Sequence, residues 1–196
     1  MIYDILELGH PLLRNVAKPL PEDLIGSTLV KTLIADMIET MRATRGAGLA
    51  APQIGESVRI FVVEVDNNPR YPYKPAIPLT VVINPDMTFE TDDRFDNYEG
   101  CLSVPNLRGI VPRCPIIRVR GFDGNGEPLD RTIRGVSAGT FQHEFDHLDG
   151  MVFVDRVTDS KTLCTIDAFR TWYEDDVRRK VREIEAAYRS ADSDYA

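Results

Sequence analysis

The sequence predicts an α+β domain in which antiparallel sheets surround a central H-E-x-x-H helix, with an N-terminal and a C-terminal helix outside. Three observations predict it. Apolar residues recur at helical spacing near both ends of the chain. Between those ends lie β-branched runs bounded by proline, asparagine and glycine, the composition of a pleated, half-buried surface. A further helical stretch carries His143 and His147 four residues apart.

Each element has a local reason. Ser27 or Thr28 caps a first helix whose stripe is Leu29, Leu33, Met37 and Met41, and Gly46 ends it. Residues 58–65 (VRIFVVEV) and 79–83 (LTVVI) read as strands. The stretch between them holds Pro69, Pro72, Pro75 and Pro78, which remove backbone donors and favour a structured surface loop over 67–78. Strands at 116–121 and 128–133 flank Asp123, Gly124, Asn125 and Gly126, a hairpin turn. A helix is expected over 137–147, with Gly150 placed to end it. From about 163 to 189, Ile166, Phe169, Tyr173, Val177, Val181, Ile184 and Tyr188 form one stripe opposite Arg178, Arg179 and Lys180, a C-terminal amphipathic helix. Residues 190–196 are small and acidic, an expected frayed tail.

With no repeat or linker, 196 residues read as a single domain spanning 1–196. Charged residues at 28% and hydrophobic residues at 43% exclude disorder, collagen-like repeats and a membrane bundle. The net charge of -8 argues against direct nucleic-acid binding. Asp4 and Glu7 interrupt the first ten residues, which lack a basic start, so neither a secretory nor a transit segment is expected. The apolar runs near Phe61 and Val81 are too short to span a bilayer, and the expected compartment is the cytoplasm. Cys101, Cys114 and Cys164 are few and odd in number, which suits a ligand or nucleophile better than a disulfide framework.

The chemistry starts at His143, Glu144, Phe145, Asp146 and His147. On a helix this spacing sets both imidazoles on one face with a carboxylate beside them, two metal ligands and a base. A third ligand is needed. The metzincin position for a third histidine holds Phe153, which excludes that chemistry. A downstream carboxylate, Asp167 or Glu174, would give a thermolysin-like site, and Cys101 upstream would give an open Cys-His-His site. Cys114 added to Cys101, His143 and His147 would close a four-ligand structural zinc site. His10 has no such partner and reads as structural.

Two segments, EGCLSVP at 99–105 and QHEFDHLDG at 142–150, resemble motifs of the peptide deformylases. GAGLAAPQ at 46–53 resembles the family's glycine-rich first motif, and GHPLLR at 9–14 its N-terminal segment, all in the family's order. The resemblance implies removal of the N-formyl group from the formyl-methionine that starts newly made polypeptides, releasing formate. It implies that Cys101, His143 and His147 hold one divalent metal, ferrous iron in the cell, with Zn2+, Ni2+ or Co2+ as substitutes. Glu144 would act as general base and acid, and the Gln53 amide and the Leu102 N–H would stabilise the oxyanion. Substrate backbone would pass Gly48 and Gly100, its methionine side chain would enter a pocket near Ala47, Asn97, Val136, Gly139 and Thr140, and Arg108 would contact substrate carbonyls. The implied partners are formylated nascent chains, with transient ribosome contact, no nucleic acid bound directly and no membrane. Ala47, Gly139 and Thr140 depart from the family's usual larger residues, which predicts a wider pocket.

Overall fold

Residues 1–188 are described by a computed structural model. The expected tail at 190–196, and the last residue of the expected C-terminal helix, lie outside the described residues. The architecture is α+β, with every sheet pairing antiparallel. A five-stranded sheet has the order β1 (Gly48–Ala50), β2 (Ile60–Val65), β3 (Ile77–Phe89), β6 (Ile116–Phe122), β7 (Pro128–Arg134). A three-stranded sheet has the order β4 (Phe95–Cys101), β5 (Val104–Arg113), β8 (Cys164–Thr165).

Strand alternation explains how the larger sheet is covered. Phe61 and Val63 on β2 point into one cluster with Phe141 and Leu148 of α2 (Gly135–Leu148). Ile60 and Val62 point the other way, onto Ile34, Met37 and Met41 of α1 (Thr28–Ala43). Buried on both faces, β2 has the nearly continuous apolar text that marked it as a strand.

Helix α2 is packed against β1, β2, β5, β7 and a C-terminal helix, so all but two of its fourteen residues are buried. Its N-terminus is held from outside: the Val136 N–H donates to Glu185 Oε1 at 2.8 Å, a carboxylate where the helix dipole favours one.

Three local expectations are corrected. The buried stripe of α1 is Val30, Ile34, Met37 and Met41, while Leu29 is 71% exposed, because a strict four-residue step from 29 drifts off a face that repeats every 3.6 residues. Strand β3 runs on to Phe89 through a register shift between Ile83 and Asp86, past the Asn84-Pro85 pair that looks like a stop. Cys101 comes from a strand, β4, as its glycine-and-proline-bounded segment suggests; the β4–β5 hairpin turns at Leu102 and Ser103, and its strands carry Asn97, Glu99 and Arg113 inward.

The last correction concerns the C-terminal helix expected over 163–189. It is two helices, α4 (Ile166–Trp172) and α5 (Glu174–Tyr188), preceded by the short helix α3 (Phe153–Arg156) and by β8. Thr165 caps α4 by accepting the Ala168 N–H, so the helix starts three residues late. Tyr173 leaves helical geometry at φ -123° and lays its ring on Tyr98, 5.9 Å between centroids. The bend lets Phe169, Val177 and Val181 all reach one cluster with Phe95 and Val136.

Candidate metal centre

Cys101 ends β4, and His143 and His147 lie one turn apart on α2. The fold brings one ligand atom from each within 4.8 Å of the others. Cys101 Sγ is 3.3 Å from His147 Nε2, at 2% and 1% exposure. Burial opposes the Cys101 thiolate, but the two imidazoles outweigh it and hold the thiol well below its ordinary range. A thiolate with two imidazoles is a donor set that fits zinc or a first-row transition metal.

Behind the ligands lies a buried ionic chain. His143 Nδ1 is 2.8 Å from Glu99 Oε2, and Arg113 donates to both oxygens of Glu99 at 2.7 and 3.0 Å. Burial would raise the Glu99 carboxyl, but Arg113 and His143 hold it well below the usual range. An ionised carboxylate only accepts, so Nδ1 carries the proton and Nε2 is left for the metal. Arg113 also donates to Asp146 at 2.7 Å, and Arg156 closes the chain on Asp146 at 2.8 Å. Asn97 donates to Glu99 at 3.0 Å.

Glu144 is 4% exposed, and its Oε2 has no hydrogen-bond partner. Burial pushes its carboxyl up to about 7 against the pull of the two imidazoles. A Cβ on Gly48 would sit 2.3 Å from Glu144 Oε1, so a glycine there makes room for the carboxylate. Gln53 accepts the Ala50 N–H at 2.9 Å, which orients its amide nitrogen toward Ser103 Oγ at 3.1 Å and Cys101 Sγ at 3.5 Å.

Of these groups, Cys101, His143, Glu144, Glu99 and Gln53 line one cavity of about 30 Å³. Ala47, Gly48, Gln53, Asn97, Gly100, Leu102, Gly139 and Thr140 of the expected set are on its wall. Val136 is not; it packs beneath α5 with Phe95 and Val181, because it opens α2 at the end remote from the histidines. Arg108 is 3% exposed and folds against Gly100, where a Cβ would lie 1.5 Å from its Nη1, so its guanidinium fills the space beside that glycine instead of lining the cavity.

The other ligand candidates lie elsewhere. Cys114 Sγ contacts the Thr91 and Ile116 carbonyls, the Asp167 side chain is 97% exposed, and Glu174 pairs with Arg178. Sequence reasoning missed the supporting residues Glu99, Arg113 and Asp146. Two of them sit inside the quoted motifs, but Arg113 has no local signal at all. It also missed Tyr71 and Lys74, which the proline-rich loop places on the cavity wall.

Comparison with known proteins supplies the family evidence. A family model described as polypeptide deformylase matches residues 2–163. The chain is 44% identical over 159 residues to peptide deformylase 2 of Pseudomonas syringae pv. tomato, covering 81% of this chain and 89% of that protein. It is also similar to a ligand-bound class I type b peptide deformylase from Acinetobacter baumannii, with TM-score 0.78, 34% identity, and coverage of 81% of this chain and 99% of that one. The Met-Ala-Ser-bound structure of that Acinetobacter enzyme gives TM-score 0.77 at 34% identity, covering 80% and 99%.

Proposed function

The chain belongs to the polypeptide deformylase family, and from that premise we propose how its own residues remove the N-formyl group from N-formyl-methionine at the start of nascent polypeptides. The observation that carries the reading is the Cys101-His143-His147 cluster with Glu144 and the Gln53 amide facing the same cavity. Cys101, His143 and His147 would hold the divalent ion, ferrous iron in the cell with Zn2+, Ni2+ or Co2+ able to substitute. When bound, the ion supplies Lewis-acid activation of water at neutral pH.

Glu144 takes the proton of the attacking water and returns it to the departing amine. A buried carboxyl near 7 suits both halves of that task. The Gln53 amide and the Leu102 backbone N–H donate to the formyl oxygen as it gains negative charge. The Ala50 N–H keeps the Gln53 amide in its donating orientation, so little reorganisation accompanies the reaction.

Substrate backbone would run between two sheet edges, β1 beside Gly48 and β4 beside Gly100. Its first side chain would enter the pocket of Ala47, Asn97, Gly139 and Thr140. Among the described residues no helix is long and apolar enough to cross a membrane, and the reading assigns the protein to the cytoplasm, in transient contact with the ribosome. One catalytic domain spanning 1–196 belongs to the same proposal.

The test is anaerobic release of formate from a formyl-Met tripeptide by metal-replete protein, beside Glu144→Ala. Turnover is expected in the first, with near-complete loss in the second while metal stays bound. No turnover by the fully loaded protein would sink the assignment.

A further inference from the structure

The pocket for the first side chain carries a cation that the deformylation chemistry does not use. Lys74 reaches in from the proline-rich loop, its ammonium donating to Thr140 Oγ1 at 2.8 Å and lying 4.9 Å from the centre of the Tyr71 ring. Thr140 and Tyr71 are 3% and 6% exposed, and both line the cavity with Asn97 and Gly139. The loop is tied down. Asn68 donates to the Arg45 and Gly46 carbonyls at 3.0 and 2.9 Å, and the Tyr71 hydroxyl donates to the Gly100 carbonyl at 3.3 Å.

An ammonium has three N–H donors. The Thr140 hydroxyl takes one and the Tyr71 face attracts the charge without accepting in a fixed direction. The cavity these residues share with the metal centre measures about 30 Å³, room for roughly two waters, so the tip of an entering side chain displaces water and meets the ammonium. An apolar tip there leaves donors without partners, whereas an oxygen acceptor restores them through a charge-assisted bond. A thioether sulfur is only a weak acceptor. Oxidation to the sulfoxide keeps methionine's chain length and adds a polar oxygen at the sulfur.

We propose that Lys74 is a specificity-determining residue whose ammonium selects N-formyl substrates with an oxygen acceptor at the end of the first side chain, formyl-methionine sulfoxide above all. The rate part of this proposal rests on the deformylase reading; the binding part rests on the pocket alone.

The experiment compares metal-loaded wild type with Lys74→Met in two measurements. Formate release is followed from formyl-X-Ala-Ser with X as methionine sulfoxide, methionine or norleucine. Binding of the unformylated tripeptides is followed by calorimetry. The expected sulfoxide-to-norleucine ratio is on the order of tenfold in wild type, in both kcat/KM and affinity, and close to one in Lys74→Met. Because each ratio is taken within one protein, the folded fraction and metal load cancel. A ratio near one in wild type, or a wild-type preference that survives Lys74→Met, overturns the proposal. Selective binding without formate release from any peptide would remove the deformylase reading and leave the pocket assignment standing; formate release without selectivity does the reverse.

Discussion

His143 Nδ1 stands 2.8 Å from Glu99 Oε2, and Glu99 is itself clamped by Arg113, so the ring that would offer Nε2 to the metal is aimed by a charge two residues ahead of Cys101. The ligand from β4 and the orienting group for the ligand from α2 therefore lie on the same strand. Movement of β4 relative to α2 would disturb both at once.

Glu99→Gln removes the charge that keeps the proton on Nδ1 while keeping the side chain's size. Metal affinity is expected to fall by about 10–100-fold, as is usual when the group behind a metal-bound histidine is changed. Competition with a chromogenic chelator measures it, and an unchanged dissociation constant contradicts the orienting role.

Gly48→Ala places a methyl 2.3 Å from Glu144 Oε1 and 2.7 Å from its Cγ. The carboxylate is the movable partner, so the fold should survive while the base leaves its position. A fall in kcat of about 100-fold is expected, with metal content unchanged. Wild-type kcat would show that Glu144 has room to work from elsewhere.

Arg113→Leu takes the arginine from Glu99 and one of two arginines from Asp146, carboxylates that are 4% and 5% exposed. Removing one member of a buried ionic group costs about 3–5 kcal/mol, since the charges left behind lose that partner without regaining water. Urea denaturation of the metal-free protein reads this without a contribution from metal binding. Arg118→Leu is the control. Arg118 pairs with Asp130 at 2.7 Å, but the two side chains are 41% and 47% exposed, and a cost below about 1 kcal/mol is expected.

Lys74 supplies a pH test. Burial pushes its ammonium down to about 8, against the pull of Glu99 and Glu144, whereas an unfolded lysine titrates near 10.4. Between those values the unfolded chain binds the extra proton, so the stability cost of Lys74 is full below about 8 and fades as pH rises toward 10.4. The stability advantage of Lys74→Met over wild type should therefore shrink by about 1–3 kcal/mol from pH 7 to pH 10 in urea titrations. A pH-independent difference would show that Lys74 titrates as a solvated lysine.

What the sequence by itself determined was whatever a local period or a local turn specifies. His143 and His147 share a helix face because 3.6 residues make a turn, and the Asp123–Gly126 stretch turns β6 into β7 because its residues tolerate that backbone. The family's short motifs likewise named segments that the fold brings together around one cavity. Tertiary structure decided which distant segments meet. Cys101 lies 46 residues from His147, and no period relates them; they converge where Phe95 of β4 shares an apolar cluster with Val136 of α2 and Glu99 of β4 pairs with His143. Nothing local marks Glu99, Arg113 and Asp146 as one buried ionic group, since a charge can be buried only where its partner is, and the partner is remote in the chain. The break at Tyr173 and the inward reach of Lys74 have the same cause. An aromatic ring on Tyr98 and an ammonium on Thr140 are contacts between distant segments, and neither hydrophobic periodicity nor proline content records them.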